Sequence, residues 1–173
     1  MDTFEAIRGR RSIRSFREDP VSEGDLQKIL EAGILAPSAG NCQPWDFIVV
    51  KSRETKEKLS AAALGQEQVV EAPVVIVVCA NTKRSSSRYG RRGAELYCIQ
   101  DTAAAVENMM LAAHALGYGS CWVGAFEEEK VARIVGAPAG VRPVAIIPIG
   151  RPAEKPRTPP RLPLSQVVHE ERF

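Results

Sequence analysis

A chain of 173 residues, 45% hydrophobic and 25% charged, has the makeup of one globular domain able to bury a core of its own. Its net charge of +2 excludes polyanion binding by the protein as a whole, so any anion must be held by a local cluster. Four cysteines with no C-x-x-C pair, and two histidines at no ligand spacing, exclude a disulfide scaffold and a zinc site.

In chain order, Asp2 and Glu5 read as a capping box that opens a short helix running toward Arg8. The segment "RRSIRSF" (residues 10–16) then leaves that helix as extended chain. Alternation there puts Arg10, Ser12 and Arg14 on one face and Arg11 and Ile13 on the other. Guanidinium forks around one dianion give a strong, oriented grip, so the cluster fits a phosphate pocket. A solvated basic edge fits the cluster equally well.

Ser22 caps a second helix, in which Leu26, Ile29, Leu30 and Gly33 follow an i, i+3, i+4, i+7 spacing until Pro37. The loop "PSAGNCQPW" presents Ser38, Asn41 and Gln43 between two stiffening prolines. Such a loop suits recognition of a polar heteroaromatic ring, and it also suits a plain helix-to-strand connection. "DFIVV" is a strand, Ser52 opens another helix, and "PVVIVVCA" reads as a strand buried on both faces. Residues 82–92, "TKRSSSRYGRR", read as a short, mobile, solvated basic loop.

The longest helix spans about Gly93 to Leu116 and is apolar on more than one face, which places it centrally. Its polar residues Tyr97, Gln100, Asp101 and Asn108 read as helix–helix hydrogen bonds or as lining of a site, and His114 as a structural residue. "SCWVG" is a strand, "EEEKVARIV" a helix stopped at Gly136, and "VAIIPIG" the last strong strand. The proline-dense tail from Arg151 cannot fold compactly on its own. These elements make one layered α/β or α+β domain over residues 1–173.

No nucleotide or hydrolase motif stands in its required setting. "GYGSCWVG" follows a helix where the dinucleotide fingerprint must follow a strand, and neither G-x-x-x-x-G-K-[ST] nor G-x-S-x-G occurs. The longest apolar run, Val74–Ala80, is too short to cross a bilayer, and the first residues lack an apolar export core. No signal peptide, no membrane partner and a cytoplasmic location with reduced cysteines are expected.

Taken together, "RRSIRSF", "APSAGNCQPWDFIVV", "GYGSCWVGAF" and "IIPIGRPAEKPRTPPRLPLSQVV" resemble, in order and over essentially the whole chain, the landmarks of the nitroreductase family of FMN-dependent NAD(P)H oxidoreductases. That resemblance implies an α+β, three-layer α/β/α fold with a mixed central sheet, in an intertwined homodimer with FMN at the subunit interface. It implies tightly bound FMN as cofactor and NAD(P)H as electron donor. It further implies a two-step, ping-pong transfer to small-molecule acceptors such as nitroaromatics or quinones. By position, Arg10, Arg11, Ser12 and Arg14 would contact the ribityl phosphate and nearby ring edge, with Arg161 closing from the C-terminal side. Pro37, Ser38, Ala39 and Asn41 would serve the opposite subunit's site. Val123 and Gly124 would offer backbone groups to the flavin, and Gln66 a polar contact at its pyrimidine end. No side chain need act as catalytic acid, base or nucleophile, since flavin N5 carries the hydride. Residues 151–173 would reach over the partner subunit. Short residues 82–92, where many relatives carry a helical insertion, imply an open channel. Pro159, where some relatives have lysine, implies heavier reliance on the N-terminal arginines.

Other readings are a specialised relative (reductive dehalogenation or flavin cleavage), a non-catalytic FMN carrier or sensor, and a basic nucleic-acid-binding module. The last lacks the interleaved aromatic platform that single-strand binding uses, so no nucleic-acid partner is expected.

Overall fold

The computed structural model describes residues 1–173. Its helices are α1 (Thr3–Gly9), α2 (Glu23–Ile34), α3 (Arg53–Ala62), α4 (Gln68–Glu71), α5 (Thr82–Arg92), α6 (Cys98–Ala115) and α7 (Glu128–Val135). The strands are β1 (Trp45–Val50), β2 (Val74–Asn81), β3 (Gly119–Ser120) and β4 (Val141–Gly150). They form one sheet in the order β1-β2-β4-β3.

Three helix starts follow directly from their capping side chains. Asp2 and Glu5 form a reciprocal capping box at α1, and Ser22 and Ser52 accept from Asp25 N and Thr55 N at α2 and α3. At the other end of α7, Gly136 stops the helix in the left-handed conformation at φ 66°.

Period-two alternation divides the core cleanly. Val75, Val77 and Cys79 of β2 and Ile146 of β4 face a cluster with Leu59 (α3), Val69 (α4) and Val131 (α7). Val74, Ile76 and Val78, with Ala145, Ile147 and Ile149, face a second cluster with Ile29 (α2) and Val106, Met109 and Met110 (α6). The sheet is therefore the middle of three layers. β2 is an unbroken β-branched run because helices cover both of its faces, even though its neighbours pair with it antiparallel.

All four strands pair antiparallel, and the one parallel element is a bridge between Ser12 and Ser120. Register slips by one residue between Val78 and Cys79, leaving Val144 as the extra residue of a bulge in β4. The expected "SCWVG" strand shrinks to Gly119–Ser120 plus an isolated bridge from Val123 to Ile146. Pro148 removes a donor from β4 where that strand would continue alongside it.

Two further expectations change. Residues 82–92 are not a loop: Asn81 caps α5 by accepting from Arg84 N, and a π-turn (Gly93–Tyr97) carries the chain on into α6. The C-terminal extension divides in two. Arg151 O and Ala153 N bond to Arg17 N and Ser15 O of the chain's own N-terminal segment. By contrast, every backbone hydrogen bond made by residues 162–173 stays inside that stretch. No helix is long and apolar enough to cross a membrane. All four cysteines are free, and Cys79, Cys98 and Cys121 are buried.

Ile147 is fully buried against α2 and α6. Truncating it to alanine should cost about 2–5 kcal/mol in urea unfolding, whereas Ile76→Val in the same layer should cost only about 0.5–1.5 kcal/mol. Equal costs for the two would place the core elsewhere.

Candidate cofactor site

The N-terminal segment is fixed from both sides. Ile13 N donates to Ser120 O (3.0 Å) on one edge, and Arg17 N to Arg151 O (2.9 Å) on the other. Ile13 and Phe16 are buried in the core, so the residues between them turn outward. Gly119 is glycine because an added Cβ would lie 2.6 Å from Ile13 Cγ1.

The result is a cavity of about 290 Å³ lined by Arg10, Arg11, Ser12, Arg14, Arg157, Arg161, Pro156 and Pro159. No acidic side chain lines it. Arg14, Arg157 and Arg161 make no ion pair, and the Arg10–Glu107 pair is loose at 3.5 Å. Arg10 Nε is buried without a hydrogen-bond partner. Guanidinium groups gathered with no acidic side chain lining the space between them make an anion site, and a phosphate dianion fits the donor set.

Arg11 does not lie on the far face, as strict alternation requires. Its guanidinium folds back to Arg8 O (2.6 Å) and Arg10 O (2.7 Å) and reaches Thr158 Oγ1 (2.6 Å), tying the tail to the cavity wall. Arg157 is a lining residue that sequence reading passed over. A basic residue four positions before Arg161, in the same proline-stiffened stretch, was the available signal. A second cavity of about 260 Å³ shares Arg10 and Arg11 and is closed by His114 and Tyr118. Burial, then Arg10 and Arg11, hold the His114 imidazole below its usual range.

From the arginine cavity the chain 120–125 runs along the outer edge of β4. Cys121 is buried, which raises its thiol, while Arg14 and Ser12 beside it pull the other way. Val123 N donates to Ile146 O and Val123 O accepts from Ile146 N, both at 3.0 Å. Val123 therefore has no N–H to offer a ligand, contrary to expectation. Alternation instead turns the N–H groups of Trp122 and Gly124 away from β4, and neither has a backbone partner. Trp122 is 40% exposed beside them. Gln66 meets this edge but is already engaged: Nε2 donates to Ala63 O and Ala125 O, and Oε1 accepts from Gln68. It holds the edge in place.

Pro37, Ser38, Ala39 and Asn41 lie elsewhere. Their loop packs on Asp101, whose Oδ1 accepts from Ala39 N (3.1 Å), near the start of α6. The arginine segment packs near Glu107 and His114. Along α6, Glu107 lies six residues beyond Asp101, about 9 Å at the α-helical rise, and His114 lies thirteen, about 20 Å. Within one chain the two groups do not share a cavity.

The loop itself is strained. Gly40, Asn41 and Gln43 have φ of 53°, 56° and 47°. For the two non-glycine residues this is a left-handed conformation costing about 1–3 kcal/mol each, of the kind that collects at functional sites.

The Nitroreductase family model matches residues 7–72 and 64–151. An NADH dehydrogenase of Thermus thermophilus is 37% identical, over 97% of this chain and 95% of its own. An oxygen-insensitive NADPH nitroreductase of Salmonella typhimurium is 31% identical, over 99% of this chain and 74% of its own. Among solved structures, the NADPH:FMN oxidoreductase from Vibrio harveyi complexed with NAD+ superposes with a TM-score of 0.91. It is 28% identical, and the match covers 99% of this chain and 77% of that one.

Asp101 is 8% exposed and its Oδ2 has no partner. Burial raises its carboxyl above the ordinary 3.8, against the smaller pull of Ala39 N–H. Between the unfolded and folded values the folded chain binds more protons, so this group's contribution to stability is lost as pH rises through that window. Asp101→Asn keeps an acceptor for Ala39 and removes the titration. Its urea midpoint should rise relative to the natural protein over the pH range above the ordinary carboxyl value of 3.8. A constant offset across that range would show that the carboxyl ionises equally freely in both states.

Proposed function

Since this chain belongs to the nitroreductase family, we propose that it is an FMN-dependent NAD(P)H oxidoreductase whose site is shared between the two subunits of a homodimer. The observation that carries this reading is the arginine cavity lined by no acidic side chain, beside a chain segment whose Trp122 and Gly124 N–H groups have no backbone partner. An anion at one end and a hydrogen-bonding ring edge at the other are the two features of a flavin mononucleotide.

Bound FMN supplies two-electron chemistry, accepting hydride from a nicotinamide and passing electrons to an acceptor. The protein supplies grip, orientation and electrostatics. Arg10, Arg14, Arg157 and Arg161 bind the phosphate, and Ser12 adds a hydroxyl. Trp122 and Gly124 donate to the ring edge and favour negative charge there. Trp122, half-exposed beside these N–H groups, would flank the ring. The two substrates occupy that face in turn, a ping-pong order, with nitroaromatics, quinones or free flavins as acceptors.

Homodimer formation accounts for surfaces that one chain leaves open. Phe4 and Ile7 on α1 are 68% and 53% exposed, and Leu164, Val167 and Val168 in the tail are 76%, 53% and 58% exposed. Residues 162–173 reach the partner and cover such surface there. Ser38 and Asn41 reach the partner's flavin, a reading supported by their loop lining neither arginine cavity of its own chain.

The protein should purify yellow, or take up one FMN per chain, as read from its absorption spectrum. Arg14→Ala should weaken FMN binding about tenfold or more, since a hydrogen bond to a charged group contributes about 1.5–3 kcal/mol. Wild-type affinity in Arg10→Ala, Arg14→Ala and Arg161→Ala alike would remove the phosphate assignment.

Deleting residues 164–173 should lower both dimer affinity and FMN retention, measured by sedimentation and by flavin release on dilution. A truncated chain that stays dimeric and yellow would leave the tail without a role at the interface.

A further inference from the structure

The basic run at residues 83–92 is spent on the loop that follows α2. Arg84 Nη1 donates to Gln43 O and Trp45 O, both at 2.9 Å, and its Nη2 donates to Asp46 Oδ1 at 2.7 Å. Arg88 Nη1 donates to Gly40 O at 2.8 Å. The fit between loop and helix is close: a Cβ added at Gly40 would lie 2.4 Å from Tyr89 Oη and 2.8 Å from Arg88 Cζ. Arg88 also stacks over the Tyr89 ring, 5.6 Å to its centroid.

On the opposite side Asp101 holds Ala39 N. The chain breaks out of helical conformation at Gly90 (φ 53°, ψ −139°) and runs on through the π-turn Gly93–Tyr97 into α6, so the two arms come from successive helices that both contact the loop. Between the arms the strained residues have no other source of restraint than their own short turns: Asn41 N to Ser38 O, Cys42 N to Ala39 O, and Gln43 N to Ser38 Oγ. Non-glycine residues held in this region persist where the surrounding structure over-determines them.

We infer that Arg84 and Arg88 are positioning residues, which clamp the Ser38–Gln43 backbone in the shape that presents Ser38 and Asn41 to the cofactor of the opposite subunit. This rests on the shared-site reading above. It gives the basic segment a task in cis that involves neither a nucleotide phosphate nor a nucleic acid. Lys83, Arg91 and Arg92 lie outside the clamp. Arg91 pairs with Glu95, and Arg92 packs on Tyr97.

Hydrogen exchange of the flavin-free protein and FMN affinity of the full chain test the clamp together. In Arg84→Ala and Arg88→Ala, the amides of residues 39–43 should exchange faster by about tenfold, the size expected for loss of a charge-assisted hydrogen bond. FMN affinity should fall by a similar factor. Arg88→Lys, which keeps the charge but loses the fork, should fall in between, and Arg91→Ala should match the natural protein. If an alanine chain does not fold, Arg84→Lys and Arg88→Lys carry the same expectation at smaller size.

A mixed dimer of an Arg88→Ala chain with an Arg14→Ala chain should hold one FMN at full affinity and one site doubly weakened. A merely structural loss would not sort the damage in this way. Unchanged exchange in both alanine chains would overturn the clamp, as would faster exchange with unchanged FMN affinity or two equally weakened sites in the mixed dimer. Failure of the natural protein to bind any FMN would instead overturn the cofactor assignment, leaving the exchange result to decide the clamp by itself.

Discussion

The site depends on how residues 12–17 are pinned. This extended segment is hydrogen-bonded to Ser120 on one side and to Arg151 and Ser15's partner Ala153 on the other, while Ile13 and Phe16 anchor it in the core. Five arginines would repel one another and scatter into solvent if their backbones were free. Fixing the backbone through neutral hydrogen bonds and apolar anchors lets like charges stand together, with an anion as their natural counterpart. The proline-stiffened stretch from Pro156 to Arg161 contributes the opposite wall at low entropic cost, because its chain is already extended.

That pinned segment also explains why the sheet ends as it does. β3 stops after two residues, and the chain beyond it keeps only one bridge, at Val123. Because this segment has β4 on one side only, pairing uses the N–H groups of Cys121 and Val123 and leaves those at Trp122 and Gly124 facing outward. Pro148 in β4 and the approach of Ile13 to Gly119 shorten the regular pairing, while the position of this segment at the sheet edge leaves its outward donors free.

Helix α6 sets the larger geometry. It touches the Pro37–Trp45 loop at Asp101 and the arginine segment at Glu107 and His114, about 9 Å and 20 Å further along. The loop lines neither of the two cavities that the arginines line, so the two motifs face different places around a single chain. Polar residues of α6 and of the turn before it do intrachain work: Asn108 Nδ2 donates to Ala32 O, and Tyr97 Oη accepts from Arg92 Nε.

Local signals were legible in the sequence where the physics is local. Capping side chains at Asp2, Ser22 and Ser52, the left-handed stop at Gly136 and the two-face burial of Val74–Ala80 each depend on neighbours within a few residues or on composition alone. The arginine cluster and the four ordered motifs were likewise readable as chemistry. Tertiary structure decided what those groups face. Alternation could not foresee that Arg11 folds back on the carbonyls of Arg8 and Arg10, because its long side chain reaches past its own strand face. Nor could it show that Val123 spends its N–H on Ile146 while Gly124 keeps its own, since pairing is a property of the neighbouring strand. The serine- and arginine-rich run 82–92 has the composition of a loop. It is a helix because Asn81 caps it and because carbonyls more than 35 residues away give Arg84 and Arg88 their partners. Hydrogen bonds between residues far apart in the chain exist only once the chain has folded, and it is these that turn a list of arginines into a site.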